Sequence, residues 1–162
     1  VDSLEQRFNA LMMPDGFKIG SPHWHITKKG ALELGLRLSL KESTVYTSAP
    51  ILRPWTLGRW VHLATVYDGM GKTVTHYLNG RQVSSHPLTS LIKLRGGPAQ
   101  LGNWSRPRKT DKYPVRKFNG LMDEFAIFSE ALDESEIKKI HRVGRPQSAR
   151  MMAKANKKKN TD

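Results

Sequence analysis

Residues 118–137, FNGLMDEFAIFSEALDESEI, set a two-faced apolar run directly against a helix start, and this junction limits the folds open to the chain more than any other segment. In an extended backbone Leu121, Asp123, Phe125 and Ile127 share one side, while Met122, Glu124, Ala126 and Phe128 share the other. Apolar residues on both sides predict a strand inside a sandwich, with Phe125 in the core. Gly120 suits a close backbone approach just before it. Asp133 reads as a helix N-cap with Glu136 at the capping-box spacing, and Leu132 and Ile137 stand where a hydrophobic staple packs. The helix is predicted from Glu134 to Val143, stopping at Gly144 with Pro146 soon after.

The remaining periodicity is that of strands. Leu32, Leu34, Leu36, Leu38 and Leu40 alternate with Glu33, Gly35, Arg37 and Ser39, a period of two that predicts a strand with one buried face. His62, Ala64 and Val66 oppose Leu63, Thr65 and Tyr67 in a second strand, and Asp68-Gly69 opens a turn. Val74 to Leu78 returns, and Asn79-Gly80 is a two-residue hairpin signal because both residues tolerate positive φ. Leu91 to Leu94 reads as a further short strand, and Trp60 and Tyr77 as structural strand residues. From Ser105 to Lys117 the chain is basic, proline-containing and aperiodic, which predicts a long surface loop.

Segment 118–137 resembles the closing strand and short helix of laminin-G-like, concanavalin A-like jelly rolls of bacterial surface proteins. WVHLATVYDGMGKTVTHYLNGRQV, Trp60 to Val83, is similar to the paired strands of that family, and LGNW, Leu101 to Trp104, to another of its elements. The resemblance extends to laminin-G-like modules of planctomycete-type bacteria. It implies an all-β, antiparallel two-sheet jelly-roll sandwich with one short C-terminal helix over residues 1–144, outside the cytoplasm, followed by a basic disordered tail over 145–162. Family members also begin with an apolar strand ahead of the segment that here starts Val1-Asp2-Ser3-Leu4. The resemblance therefore implies a missing first strand and an open sheet edge.

Composition narrows the chemistry. The 162 residues suit one domain, and the absence of cysteine removes disulfides, thiolate catalysis and cysteine-ligated zinc. Of the net charge of +13, the nine basic residues from Lys138 onward, set against Asp162 alone, carry +8. That tail is too poor in apolar residues to pack, and no nucleic-acid-binding motif accompanies it, so a specific nucleic-acid partner is not expected.

Candidate site residues follow from residue type and place. His23 and His25 flank Trp24 and point the same way on a strand, but without an evident third ligand they read as a packed pair rather than a metal site. His62 reads as a structural residue bonded to backbone. Asp123 and Glu124 are adjacent, so on a strand they face opposite sides and cannot flank one glycosidic bond. The Glu-x-Asp-x-x-Glu strand of concanavalin A-like glucanases does not occur in the sequence, which points to a non-catalytic module. Trp55, Trp104 and Tyr113 lie in or beside predicted loops, where rings can stack on a sugar while Asn103 fixes hydroxyls. Calcium binding, known in related jelly rolls, would draw on Asp68, Asn119 and Asp123, with Asp111 as a helper. Carbohydrate recognition is the expected function. Its rival is a protein-interaction or adhesion module at a cell surface, working through an exposed face or open edge.

Overall fold

The computed structural model describes residues 1–104 and 116–144. Eight strands precede one helix: β1 (Phe8–Pro14), β2 (Pro22–Thr27), β3 (Ala31–Arg37), β4 (Ser43–Pro50), β5 (Leu63–Asp68), β6 (Thr73–Leu78), β7 (Arg81–Pro87), β8 (Ala99–Leu101) and α1 (Glu134–Val143). They form two antiparallel sheets, one ordered β4-β3-β2-β1-β8 and the other β5-β6-β7. The result is an all-β jelly-roll sandwich closed by one short helix.

The core lies where the period-two residues of the two sheets meet. Leu32, Leu34 and Leu36 of β3 are buried, and Leu34, Leu36, Tyr46 and Val74 pack as one cluster with Trp24 and Tyr67 against it. The predicted alternation ends earlier than expected, because Leu38 and Leu40 fall in the β3–β4 turn and Leu40 is exposed. A second cluster of Leu11, Ile26, Leu32 and Leu52 extends the core, with Val61, Leu63 and Phe118 packed on it.

A polar chain crosses this apolar layer. Trp24 Nε1–H donates to Thr65 Oγ1 at 2.8 Å, Thr65 Oγ1 lies 2.8 Å from His76 Nδ1, and His76 Nε2 lies 2.9 Å from the Tyr46 carbonyl. Because the carbonyl only accepts, Nε2 carries the ring proton, so Nδ1 accepts the Thr65 hydroxyl. A neutral imidazole satisfies every member. Burial is the largest influence on His76 and pushes its pKa down to about 4.

Local signals at the helix and the central hairpin hold. Asp133 Oδ1 accepts the Glu136 N–H and Glu136 Oε2 accepts the Asp133 N–H, the reciprocal capping box, and α1 spans the predicted residues. Its end differs in detail, since Gly144 has φ −75° rather than a left-handed conformation. Asn79 and Gly80 take φ 52° and 76° in the β6–β7 turn. A Cβ on Gly80 would stand 3.2 Å from Lys138 Cα and 3.3 Å from His141 Cβ, so the bare glycine lets α1 seat on this turn. His62 does not find a backbone partner for its ring. It stacks on His141 of α1 at 5.6 Å between centroids, and burial, with His141 beside it, lowers its pKa.

Three expected strand features are corrected. Residues 121–128 do not join a sheet. Glu124 adopts φ 50° and its N–H is taken by Asp123 Oδ1, which breaks the period-two register in mid-segment. Leu121 and Ile127 are each 72% exposed and Phe128 51%. Phe125 is half-buried with its ring centroid 6.4 Å from that of Trp24, so its truncation will cost less than the roughly 3–5 kcal/mol typical of a buried Phe. Residues 91–94 form no strand either. The Tyr67 hydroxyl donates to the Ile92 carbonyl and accepts the Ile92 N–H, holding that stretch by side chain instead of ladder. Trp60 precedes β5 and is 52% exposed, whereas Tyr77 is buried as expected.

The neutral state of His76 makes stability pH-dependent. A histidine pKa lowered on folding contributes stability that is complete above the unfolded value of 6.5 and is lost as pH falls through the folded value of about 4. Urea melts should therefore lose about 3 kcal/mol over this interval, part of it already between pH 6.5 and 5, before most carboxylates titrate. A midpoint that stays constant from pH 7 to 5 would contradict a buried neutral His76. Gly80→Ala should destabilise by about 1–2 kcal/mol from the left-handed conformation alone, with amide exchange in α1 accelerating before that in β3.

Candidate functional site

Three turns meet at one end of the five-stranded sheet: residues 15–21 between β1 and β2, residues 38–42 between β3 and β4, and residues 95–98 ahead of β8. Backbone bonds tie them together. Gly20 N–H donates to the Arg37 carbonyl, the Gly20 carbonyl accepts the Arg95 N–H, and Asp15 N–H donates to the Pro98 carbonyl. Gly20 is a required glycine here, with φ 81° and a Cβ position only 2.4 Å from the Lys93 carbonyl oxygen.

A cleft of about 560 Å³ opens between these turns. Phe17 contributes a half-buried ring, fixed from behind by His23 at 4.4 Å between centroids. Arg37, the last residue of β3, holds its guanidinium 5.9 Å from the Phe17 centroid and donates through Nη2 to the Leu40 carbonyl. Lys18 and Arg95 line the same cleft, and Asp15 is its one carboxylate. An aromatic ring framed by donors on preformed walls is an arrangement suited to a small polar ligand with an apolar face.

Behind the cleft, the outer face of β2 and β3 carries a polar cluster. His25 Nε2 meets Glu33 Oε1 at 2.9 Å and Thr47 Oγ1–H donates to Glu33 Oε2 at 2.8 Å. Burial pushes the Glu33 carboxyl up, but the bonds from His25 and Thr47 outweigh it and hold the pKa below the usual value. The expectation that His23 and His25 are packed or hydrogen-bonded agrees with these contacts: His23 packs between Phe17 and Trp104, and His25 pairs with Glu33.

Among the described residues, those singled out from sequence are not gathered into one site. Trp55 is 69% exposed on the short 3-10 turn at Pro54–Thr56. Trp104 is only 8% exposed, packed on Ala10 and Met13, with the Arg116 guanidinium carbon 4.6 Å from its ring centroid. Its faces serve packing and cation–π contact. Asn103 is half-buried beside it, and Tyr113 lies outside the described residues. Of the calcium candidates, Asp68 Oδ1 accepts the Gly71 N–H, Asp123 Oδ1 the Glu124 N–H, and Asn119 Nδ2 donates to Ser3 Oγ, while Asp111 lies outside the described residues. Asp68 and Asp123 each serve their own turn while Asn119 ties to Ser3 across the chain, and among the described residues no group of three His, Cys, Asp or Glu side chains could hold a metal ion. The cleft residues themselves escaped sequence reasoning, because Phe17, Arg37 and Arg95 are far apart in the chain and converge only through the Gly20 joint.

Comparison with known proteins places this architecture. No curated protein matches the chain. A Bacteroides ovatus protein, named as a candidate carbohydrate binder, superposes with a TM-score of 0.60 at 20% identity over 85% of this chain and 38% of its own. The CBM40 of the Ruminococcus gnavus IT-sialidase, in a structure bound to alpha2,3 sialyllactose, gives 0.56 at 15% identity over 86% of this chain and 78% of its own. Botulinum neurotoxin type C, whose passage into cells depends on interaction with two ganglioside molecules, gives 0.60 at 11% identity over 90% and 33%. The chain thus spans well under half the length of the first and last of these, and at such identities the likeness establishes the fold. Among the described residues no helix is long and apolar enough to cross a membrane. The family model described as the concanavalin A-like lectin/glucanases superfamily matches residues 1–138, and the chain belongs to that superfamily, in its laminin-G-like branch.

Proposed function

We propose that the protein is a non-catalytic carbohydrate-recognition module acting outside the cytoplasm, with the cleft at Phe17 as its binding site. The observation that carries this reading is the composition of that cleft: a fixed aromatic ring, three cationic donors and a single carboxylate. A ring of this kind stacks on the apolar face of a pyranose while the donors hold its hydroxyls. Glycoside hydrolysis needs two carboxyl groups across the scissile bond, and Asp15 stands alone in the cleft lining. The solved carbohydrate binders that share the fold support the reading by analogy.

A specific observation also favours the second reading, a protein-interaction module. Leu121, Ile127 and Phe128 expose apolar surface on a segment outside both sheets, and β5 is an edge strand with no ladder partner on its outer side among the described residues. Such surfaces take up partner strands or apolar faces.

A glycan array probed with the full chain at physiological salt, with and without calcium, separates the two. Selective glycan binding is expected, and Phe17→Ala should weaken it about five- to tenfold, the worth of roughly one aromatic stacking contact. The variant's melting curve checks that the fold survives. A silent array from folded protein would move the function to the surface around residues 121–128, and a calcium requirement would bring Asp68, Asn119 and Asp123 back as ligands.

A further inference from the structure

Arg37, Lys18 and Arg95 face one cleft, and none of them meets a carboxylate among the described residues, where the contacts of basic side chains to carboxylates are His25–Glu33 and Lys138–Glu134. Asp15 lines the cleft without bridging to any of the three. The walls therefore carry a local excess of two positive charges in a concave space, where the field of fixed charges is focused.

The cations are built in, not scattered. Gly20 bonds the backbones of both Arg37 and Arg95, so one residue sets these two side chains on adjoining segments. Lys18 lies two residues before that joint, where its carbonyl accepts the Ser21 N–H. The Arg37 guanidinium is further oriented by the Leu40 carbonyl and the Phe17 ring. Leu40 uses one of five donors, and a planar fork held in this way is suited to a carboxylate approached edge-on. A neutral sugar would leave the excess of two positive charges uncompensated; an acidic one pairs with it while its ring packs on Phe17.

We infer that the ligand of this cleft is a sugar bearing a carboxylate, with Arg37 and Arg95 as the residues that select the acid group. This rests on the carbohydrate reading above and adds the class of glycan.

The test uses the full chain at 150 mM salt and two matched pairs of probes: lactose against alpha2,3-sialyllactose, and a glucose against a glucuronic acid oligosaccharide of equal length. The acidic member of at least one pair should bind about tenfold more tightly, the difference expected of a charge-assisted hydrogen bond. Arg95→Gln and Arg37→Gln should each remove that preference. Arg95 is exposed, so its variant tests the inference even where Arg37→Gln loosens the β3–β4 turn. Lys28→Gln with Lys29→Gln, in the β2–β3 turn at the opposite end of the same hairpin, lowers the overall charge without touching the cleft and should leave the preference intact. Equal binding of neutral and acidic members, sensitive to Phe17→Ala but not to either arginine variant, would overturn the acidic class and leave the carbohydrate reading standing. Loss of preference in the lysine control as well would reduce it to general charge attraction and overturn the selecting role of the arginines. No binding of any probe by folded protein would overturn both.

Discussion

The Trp24–Thr65–His76–Tyr46 chain is the interaction on which the sandwich depends. Trp24 and Tyr46 belong to the five-stranded sheet, and Thr65 and His76 to the three-stranded one, so the Trp24–Thr65 and His76–Tyr46 bonds are directional links between layers otherwise held by non-directional apolar contact, and the Thr65–His76 bond joins them across neighbouring strands. Apolar packing tolerates sliding, whereas a relay with a fixed donor and acceptor at every step does not. It sets the relative register of the sheets. It also requires His76 to stay neutral, since protonation at Nδ1 would place a buried cation against a Thr65 hydroxyl that had been the donor.

That register has consequences on both sides of the molecule. On one side it positions Trp24 against Phe125, the single half-buried aromatic of a segment that is otherwise displayed to solvent. On the other it leaves the outer face of β2 and β3 to side chains of the opposite parity, His23, His25 and Glu33. Those residues form a bonded wall on which Phe17 rests. The cleft thus inherits its rigidity from the sheet, while its chemistry comes from turns, the usual division of labour between scaffold and loop.

How much of this was legible beforehand can be judged from particular elements. Asp133 with Glu136, Asn79 with Gly80, and the leucines of β3 were readable because each signal acts within a few residues: a cap bonds three positions away, a hairpin turn needs two left-handed residues, and alternation reports one buried face. Residues 121–128 misled for a related reason. Their alternation was real, but Glu124 turned into the left-handed region and Asp123 captured its N–H, a choice between backbone partners that residue type leaves open. Trp104 was placed beside a loop by its neighbours, yet its burial depends on β1 and Arg116, both remote in sequence.

The sequence by itself determined the strands with one buried face, the Asn79-Gly80 hairpin and the capped helix, because periodicity, turn chemistry and capping are local and act the same way in any context, and its family resemblance implied the antiparallel sandwich that contains them. Only the tertiary structure decided where a ligand can sit. Phe17, Arg37 and Arg95 share a site solely because Gly20, lacking a Cβ, allows two distant backbones to bond to it at once, and no pattern along the chain encodes that meeting.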